Sequence, residues 1–442
     1  MRITIIAIGS RGDVQPYVAL SRGLVAAGHT VCLATHAVFE KFVVSYGIHF
    51  MAIDDEPTGF FQGKDGVKLL EASNNAFLFV YRLRAYLAPR MDLYMQRSLE
   101  ASRDADVIIS TYMSFLIAYS IAEKLRCRLI ASFLQPSMLP TTAFPEPSAP
   151  WLPQHPVQMG QIINEQSHLG SGKVFWHFFT PAVNRARQRL YGLPPLPSES
   201  LYATLPQHVD LILLGYSPLL LAKPDDWADN IEVTGFWPLE APRKWEPAPQ
   251  LVDFIQAGPP PVYIGFGSMI SQQPQRTLDL AFRSLVLSGQ RGIILTARET
   301  LFEQWWSKNI YISNGAPHDW LFPQMSAIVH HAGAGTTAAS LRAGVPSIPV
   351  YHIADQQFWG TLAARAGAAH KPLSRHLLTP RQLARSIQTV LEDQAMRHSA
   401  RQIAYRLRQE DGIQQAIQAI DRHLSDMLMP AQTQRNTGIR RV

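Results

Sequence analysis

The sequence is poor in cysteine and in charge, and both shortages exclude classes of protein. Among 442 residues there are two cysteines, Cys32 and Cys127, and each lies in an apolar context typical of a strand. A disulfide framework or a cysteine-ligated metal site is therefore not expected, and a reducing, cytoplasmic location fits. Charged residues make up 17% of the chain and hydrophobic residues 47%, a balance that excludes disorder.

Long apolar runs are also missing. The apolar start at residues 1–8 is interrupted by Arg11 and Asp13, too early for a signal peptide. The apolar stretch 107–122 is shorter than the roughly 18 residues that a membrane-spanning helix needs. The net charge of +6 would suit an anionic lipid, a nucleic acid or a phosphorylated substrate. No nucleic-acid-binding module accompanies it, so we expect no nucleic-acid partner, and any membrane contact is expected to be peripheral.

The most informative segment is the glycine-rich turn at residues 330–337, His-His-Ala-Gly-Ala-Gly-Thr-Thr, between an apolar run and a helical pattern. It contains neither the Gly-Lys-Ser/Thr of a P-loop nor the Gly-x-Gly-x-x-Gly of a dinucleotide site. Small residues let a ligand approach the backbone, and the N-terminus of the following helix favours an anion. The turn therefore predicts a diphosphate site of another kind.

Alternating strand and helix patterns predict an α/β protein. The chain is long enough for two domains of about 200 residues each. Residues 3–8 resemble a strand, 9–16 a turn, 17–27 a helix and 30–34 the next strand, which together make a βαβ unit of a parallel sheet. Because the second half alternates similarly, we expect two doubly wound sheets with ligands at the carboxyl ends of their strands.

Six motifs occur in order along the chain, at residues 9–16, 265–268, 317–324, 330–337, 342–346 and 355–360. Together they resemble the family 1 glycosyltransferases of GT-B fold, and most closely the sterol glucosyltransferase-like branch and related bacterial natural-product enzymes. The resemblance implies two Rossmann-like domains facing across a cleft. Residues 1–240 would bind the acceptor, 241–400 the nucleotide sugar, 401–424 would return as a helix to the first domain, and 425–442 would be a flexible basic tail.

The resemblance also assigns the donor site. Its diphosphate-binding residues would be His331, Gly333, Gly335, Thr336, Thr337 and Ser268. Trp320 would stack on the nucleobase, with core packing as the alternative, and Gln324 would contact the nucleotide. Asp355 and Gln356 would bind sugar hydroxyls, although Asp355 could instead be a helix N-cap. Ala332 stands where this branch more usually has glycine, a change that we expect to have little effect.

Catalysis is expected at Asp13, which would act as a general base on the acceptor hydroxyl. The alternative is that Asp13 caps a helix beginning near residue 14, and the two roles can coexist. Ser10, Arg11 and Gly12 would form the loop that faces the acceptor. The implied reaction is an inverting transfer of a hexose, most simply glucose from UDP-glucose, without cofactor or metal.

The acceptor implied by the resemblance is an apolar alcohol such as a sterol, terpenoid, polyketide or lipid. Aromatic residues between 133 and 179 could line its pocket or simply form core. We interpret the single Asp-x-Asp, residues 104–106, as a solvated turn and not as a metal clamp. Two alternatives remain open: a dTDP-deoxysugar (rhamnosyl-type) transferase, and a non-catalytic protein that binds nucleotide sugars and activates a partner enzyme.

Overall fold

Two parallel sheets form the framework of the protein. A computed structural model describes residues 1–55, 66, 76–148, 158–242, 245–266, 274–296, 308–352 and 355–424. Within these ranges one sheet has seven strands and the other six, and helices connect the strands. Parallel strands are covered on both faces, which explains why most of them are apolar throughout.

The first sheet has the strand order β3-β2-β1-β4-β5-β6-β7, with every pair parallel. Its strands are β1 (Arg2–Ile6), β2 (Thr30–Thr35), β3 (His49–Ala52), β4 (Val107–Ser110), β5 (Arg128–Phe133), β6 (Leu211–Leu214) and β7 (Ile231–Val233). The α-helices described in this half are α1 (Arg11–Ala26), α2 (Glu40–Val44), α3 (Ala76–Leu87), α4 (Met91–Ala101), α5 (Phe115–Leu125) and α6 (Gln158–Ala186).

The predicted turn at residues 9–16 is too long. Helix α1 already begins at Arg11 and contains Pro16. The start is set by a capping box, in which Ser10 is the N-cap and Asp13 the third helical residue. Sequence periodicity missed this first turn because its residues are polar or glycine and give no apolar repeat.

The second sheet has the order β10-β9-β8-β11-β12-β13, also parallel. Its strands are β8 (Val262–Gly265), β9 (Gly292–Leu295), β10 (Ile310–Ser313), β11 (Ala327–His330), β12 (Ser347–Tyr351) and β13 (Leu373–Ser374). The helices of this half are α7 (Pro249–Gln256), α8 (Pro274–Ser288), α9 (His318–Leu321), α10 (Ala334–Ala343), α11 (Gln356–Arg365), α12 (Pro380–Glu392), α13 (Gln394–Leu407) and α14 (Gly412–His423).

The last helix joins the end of the described chain to the first sheet. The Trp237 indole N–H donates to the carbonyl oxygen of Gly412 at 3.1 Å, and Arg422 pairs with Glu232 at 2.8 Å. Residues 401–424, expected to form one helix, instead contain the end of α13 at Leu407 and all of α14, which begins after its N-cap Asp411. A search of the described residues finds no helix long and apolar enough to cross a membrane.

Close packing between α1 and α14 generates a stability prediction. A Cβ added to Gly23 would lie 2.3 Å from Cγ2 of Ile413, whereas one added to Gly170, also helical, would meet nothing within 4 Å. Gly23→Ala should destabilise the protein by about 1–3 kcal/mol through overpacking. Gly170→Ala should instead stabilise it by about 0.5–1 kcal/mol through helix propensity. Thermal unfolding of both variants tests this, and equal midpoints would contradict the packing.

Candidate active site

Asp13 is held beside the carboxyl end of β1 by the first turn of α1. Its Oδ2 atom accepts the backbone N–H of Ser10 at 2.7 Å and the Ser10 hydroxyl at 2.9 Å. The alternative in which Asp13 itself is the N-cap of a helix beginning near residue 14 is therefore wrong: the N-cap is Ser10, and Asp13 is the third helical residue of the capping box. The other carboxylate oxygen takes no part in these two bonds. Catalysis by Asp13 stays a prediction.

Gly9 makes this arrangement possible. Its φ of +145° is a conformation that L-residues rarely adopt, and a Cβ there would lie 2.5 Å from Oδ2 of Asp13. The Gly9 N–H donates to Nε2 of His36 at 3.0 Å, and Nδ1 of His36 lies 2.5 Å from Oδ2 of Asp54. Because Nε2 accepts, the ring proton is on Nδ1 and is donated to Asp54. This buried relay fixes the turn that carries Asp13.

His36 and Asp54 were missed from the sequence. Each comes within two residues of the end of a strand, β2 for His36 and β3 for Asp54, and both are almost fully buried. The available signal was the position of polar residues just after neighbouring parallel strands, whose carboxyl ends meet at one edge. Burial raises the pKa of Asp13, and the hydrogen bonds from Ser10 oppose that rise.

At the carboxyl end of β11, two histidines precede α10. The fully buried His330 accepts the Ala332 N–H through Nδ1 at 3.1 Å, so its Nε2 carries the proton. Burial lowers the pKa of His330 to about 3 and that of His331 to about 4, so both rings are neutral near pH 7. Neither His330 Nε2 nor His331 Nδ1 has a hydrogen-bond partner in the described structure.

The backbone of this turn is tightly constrained. Ala332 has a φ of +58°, the left-handed region where glycine is favoured. We expected little effect from alanine at a position where this branch more usually has glycine. The effect is larger than expected, because the Cβ of alanine strains the backbone at this φ. A Cβ on Gly333 would lie 2.7 Å from Nε2 of His331, so glycine there lets the imidazole lie against the helix start.

The N-terminus of α10 presents the predicted anion site. Gly333 is its N-cap, while Gly335 and Thr336 are in the first turn, where backbone N–H groups lack intrahelical partners. Thr337 is fully buried and its hydroxyl has no hydrogen-bond partner among the described residues. The predicted contact Ser268 lies outside the described residues.

Two further histidines lie within electrostatic range of His331. Burial lowers the pKa of His318 to about 4 and that of His352 to about 3, and a protonated His331 would lower both further. The charge of Arg11 also lowers the pKa of His318, and α1, which Arg11 begins, contacts α10. With these lowered pKa values, all four histidines are neutral near pH 7.

The two residues predicted to contact the nucleobase lie near His318. The half-buried Trp320 packs edge-on against Trp245, with ring centroids 5.4 Å apart, and joins an apolar cluster. Gln324 donates its amide N–H to the Trp320 carbonyl at 2.8 Å. Trp320 therefore takes part in core packing. Its stacking on a nucleobase and the nucleotide contact of Gln324 both stay predictions.

Asp355 begins α11, after β12. It occupies the N-cap position, but its side chain makes no capping bond. Oδ2 of Asp355 instead accepts the indole N–H of Trp359 at 2.8 Å. Gln356 is buried, and its Oε1 accepts the His352 N–H at 2.7 Å, which holds the turn. Sugar binding by Asp355 and Gln356 stays a prediction.

The two candidate carboxylates, which follow strands of different sheets, lie within electrostatic range of each other. Burial raises the pKa of Asp355 to about 6, the Trp359 bond opposes the rise, and the charges of Asp13 and Glu146 add to it. Asp106, of the Asp-x-Asp, instead precedes β4 and bonds Arg2 at the opposite edge of the first sheet. No cluster of three or more metal-ligating side chains occurs in the described ranges.

Aromatic residues between 133 and 179 form core and also line a small pocket, and binding of an acceptor there stays a prediction. Phe175 and Phe179 pack at a tilt, with ring centroids 4.3 Å apart, within the main core cluster. They also line a small apolar pocket with Ile8, which precedes Gly9 at the end of β1. The other lining residues are Leu87, Met91, Tyr94, Met113, Leu116, Ile117 and Val183. The pocket therefore lies next to the turn that carries Asp13.

Comparison with known proteins identifies the family. Residues 3–142 match the model of the glycosyltransferase family 28 N-terminal domain, and residues 293–419 match the erythromycin biosynthesis protein CIII-like C-terminal domain. A sterol 3-beta-glucosyltransferase of Arabidopsis thaliana is 32% identical over 96% of this chain and 68% of its own length. The chain belongs to the glycosyltransferase family that includes this sterol 3-beta-glucosyltransferase. A sterol 3-beta-glucosyltransferase of Aspergillus terreus is 33% identical, also over 96% of this chain, but the match spans only 30% of its length.

Solved structures of other glycosyltransferases share the GT-B fold of this chain. Spinosyn forosaminyltransferase has a TM-score of 0.68 at 15% identity and covers 96% of this chain and 99% of its own. A calicheamicin glycosyltransferase has a TM-score of 0.65 at 15% identity, over 96% of this chain and 98% of its own. The glycosyltransferase VinC, solved in complex with dTDP, has a TM-score of 0.63 at 16% identity, over 96% of this chain and 100% of its own.

The close approach of Gly9 to Asp13 predicts a selective loss of activity. Gly9→Ala should displace the Asp13 carboxylate and lower kcat of the glycosyltransferase about 100-fold or more, because a general base must be within hydrogen-bond reach. Gly28→Ala is the matched control, since Gly28 also has a positive φ of +89° but nothing within 4 Å of the added Cβ. Turnover per folded molecule measures the effect. Equal activity of the two variants would show that Asp13 needs no fixed position.

Proposed function

We propose that this chain transfers a hexose, with glucose from UDP-glucose as the first choice, to the hydroxyl of an apolar acceptor of the sterol class with inversion. The observation that carries the proposal is that Asp13 lies within electrostatic range of Asp355, while α1, which holds Asp13, contacts α10, whose N-terminus is the candidate anion site. The acceptor class is supported by the sterol 3-beta-glucosyltransferases at 32–33% identity.

The proposed reaction is a single displacement. Asp13 accepts the proton of the acceptor hydroxyl through its oxygen not bonded to Ser10, while the acceptor oxygen forms a bond to the anomeric carbon. The bond from that carbon to the diphosphate oxygen breaks, and its electron pair leaves with the diphosphate. N–H groups at the start of α10 and on His331 stabilise the developing charge, so no metal ion is required.

The remaining assignments extend this proposal. Residues 1–240 would carry the acceptor site, 241–400 the donor site, and 401–424 would return to the first sheet. The expected tail, residues 425–442, lies outside the described residues. Trp320 and Gln324 would hold the nucleobase, and Asp355 with Gln356 the sugar hydroxyls. A membrane-resident acceptor would be reached by peripheral contact with the bilayer, which sedimentation with sterol-containing liposomes would detect.

Paired substitutions separate chemistry from donor binding. Asp13→Asn should reduce kcat by roughly 10²–10⁴-fold without weakening UDP-glucose binding, because the amide cannot accept the proton. His331→Gln should weaken UDP binding about tenfold, because a donor to the diphosphate is lost. Calorimetry with UDP and UDP-glucose, and product mass with a sterol panel without added metal, give both quantities.

Other results of these binding and turnover experiments would each contradict part of the proposal. UDP-glucose binding and no product with any acceptor would support the non-catalytic alternative. Binding and transfer from dTDP-sugars alone would overturn the choice of UDP-glucose. Unchanged turnover in Asp13→Asn would remove Asp13 from the mechanism.

Carboxylate titration predicts an acidic limit to activity. Burial raises the pKa of Asp355 to about 6 and also raises that of Asp13. A carboxylate with a raised pKa is protonated below that pKa, and protonation abolishes its ability to accept a proton or a sugar hydroxyl. We therefore expect kcat/KM to fall as the pH drops through about 6. A profile flat down to pH 4.5 would show that neither carboxylate must be ionised.

A further inference from the structure

Trp359 lies between the donor-sugar carboxylate and the first half of the chain. It is the largest fully buried side chain of the described structure, with none of its surface exposed. Its ring lies 5.6 Å from that of Tyr216 and 6.5 Å from that of Phe236, both of which flank the first sheet. The ring centroid of Phe358, its neighbour on α11, lies 5.4 Å from that of Trp359. The indole orientation is therefore fixed by rings from both halves.

The single polar atom of this buried ring is directed at Asp355. The indole N–H donates to Oδ2 of Asp355 at 2.8 Å, a charge-assisted bond when the carboxylate is ionised. Trp359 lies one helical turn after Asp355, and its backbone N–H also donates to the Asp355 carbonyl at 3.0 Å. The Trp359 bond therefore anchors one oxygen of Asp355, and the backbone N–H of Asp355 itself also favours the ionised carboxylate.

We propose that Trp359 is a positioning residue for donor-sugar recognition: its N–H fixes one oxygen of Asp355 so that the other can accept a sugar hydroxyl. This inference rests on the proposed function. A carboxylate held by one rigid donor loses little further rotational freedom on binding a hydroxyl, which favours affinity. Phenylalanine would preserve most of the packing and remove only the donor.

The charged and titratable groups around Asp355 set the expected pH effect. Asp13 on α1 and Glu146, which lies between β5 and α6, both raise the Asp355 pKa, and the buried Tyr112 is also within electrostatic range. The Trp359 N–H opposes them. Removing that donor should move the Asp355 titration upward by about one pH unit, because the ionised form loses its hydrogen bond.

The test compares Trp359→Phe with Phe358→Leu. Phe358→Leu removes a buried ring on the same helix, next to Trp359, and leaves the N–H in place. Calorimetry measures affinity for UDP, which lacks the sugar, and for UDP-glucose. We expect Trp359→Phe to weaken UDP-glucose binding about tenfold and UDP binding less than twofold. Phe358→Leu should leave the ratio of the two affinities unchanged.

A second measurement does not depend on the sugar. Carbon-13 NMR of labelled aspartate in the ligand-free protein follows the Asp355 titration, which should move upward in Trp359→Phe only. If that variant does not fold, replacing tryptophan by its benzothiophene analogue removes the N–H at constant shape. An unmoved titration, equal losses of UDP and UDP-glucose affinity, or the same effects in Phe358→Leu would overturn the inference. If the wild-type protein binds no nucleotide sugar, and the Asp355 titration still moves upward in Trp359→Phe, the proposed function is overturned instead.

Discussion

The site depends on the burial of two carboxylates at the carboxyl ends of two separate parallel sheets. Taking a carboxylate out of water disfavours its charged form, and a second carboxylate nearby disfavours it further. The structure opposes both effects with specific donors, Ser10 for Asp13 and Trp359 for Asp355. Each donor binds one oxygen, so the same bond that favours ionisation also fixes the direction of the other oxygen.

The rest of the cleft provides hydrogen-bond donors without fixed charge. Burial lowers the pKa of four histidines, His318, His330, His331 and His352, so their rings are neutral near pH 7. Neutral imidazole N–H groups and helix N-terminal amides are oriented dipoles that need not reorganise when charge develops on a leaving group. In a buried site such dipoles avoid the cost of desolvating several cations close together. The chemistry expected of a metal ion can thus come from the backbone and from neutral rings.

Strand ends and glycine turns were the parts of this structure that sequence could predict. The βαβ start, the parallel sheets and the turn at residues 330–337 follow from apolar runs and small residues, and the structure and its GT-B neighbours confirm the fold. Local polar chemistry was less accessible. The start of α1 was misplaced because the capping box of Ser10 and Asp13 is a hydrogen-bond pattern without an apolar repeat. The strain at Ala332 depends on a backbone angle that composition does not reveal.

The His36–Asp54 pair and Trp359 were missed for a different physical reason. Each acts on a group that only tertiary structure places beside it. His36 and Asp54 leave separate strands and meet 18 residues apart to hold the Gly9 turn. Trp359, although only four residues from Asp355, owes its fixed orientation to Tyr216 and Phe236 from the first half. Sequence identifies candidate substrate-binding residues by their chemistry. The residues that hold them in place are chemically ordinary, and the burial of their polar atoms in the folded structure is what identifies them.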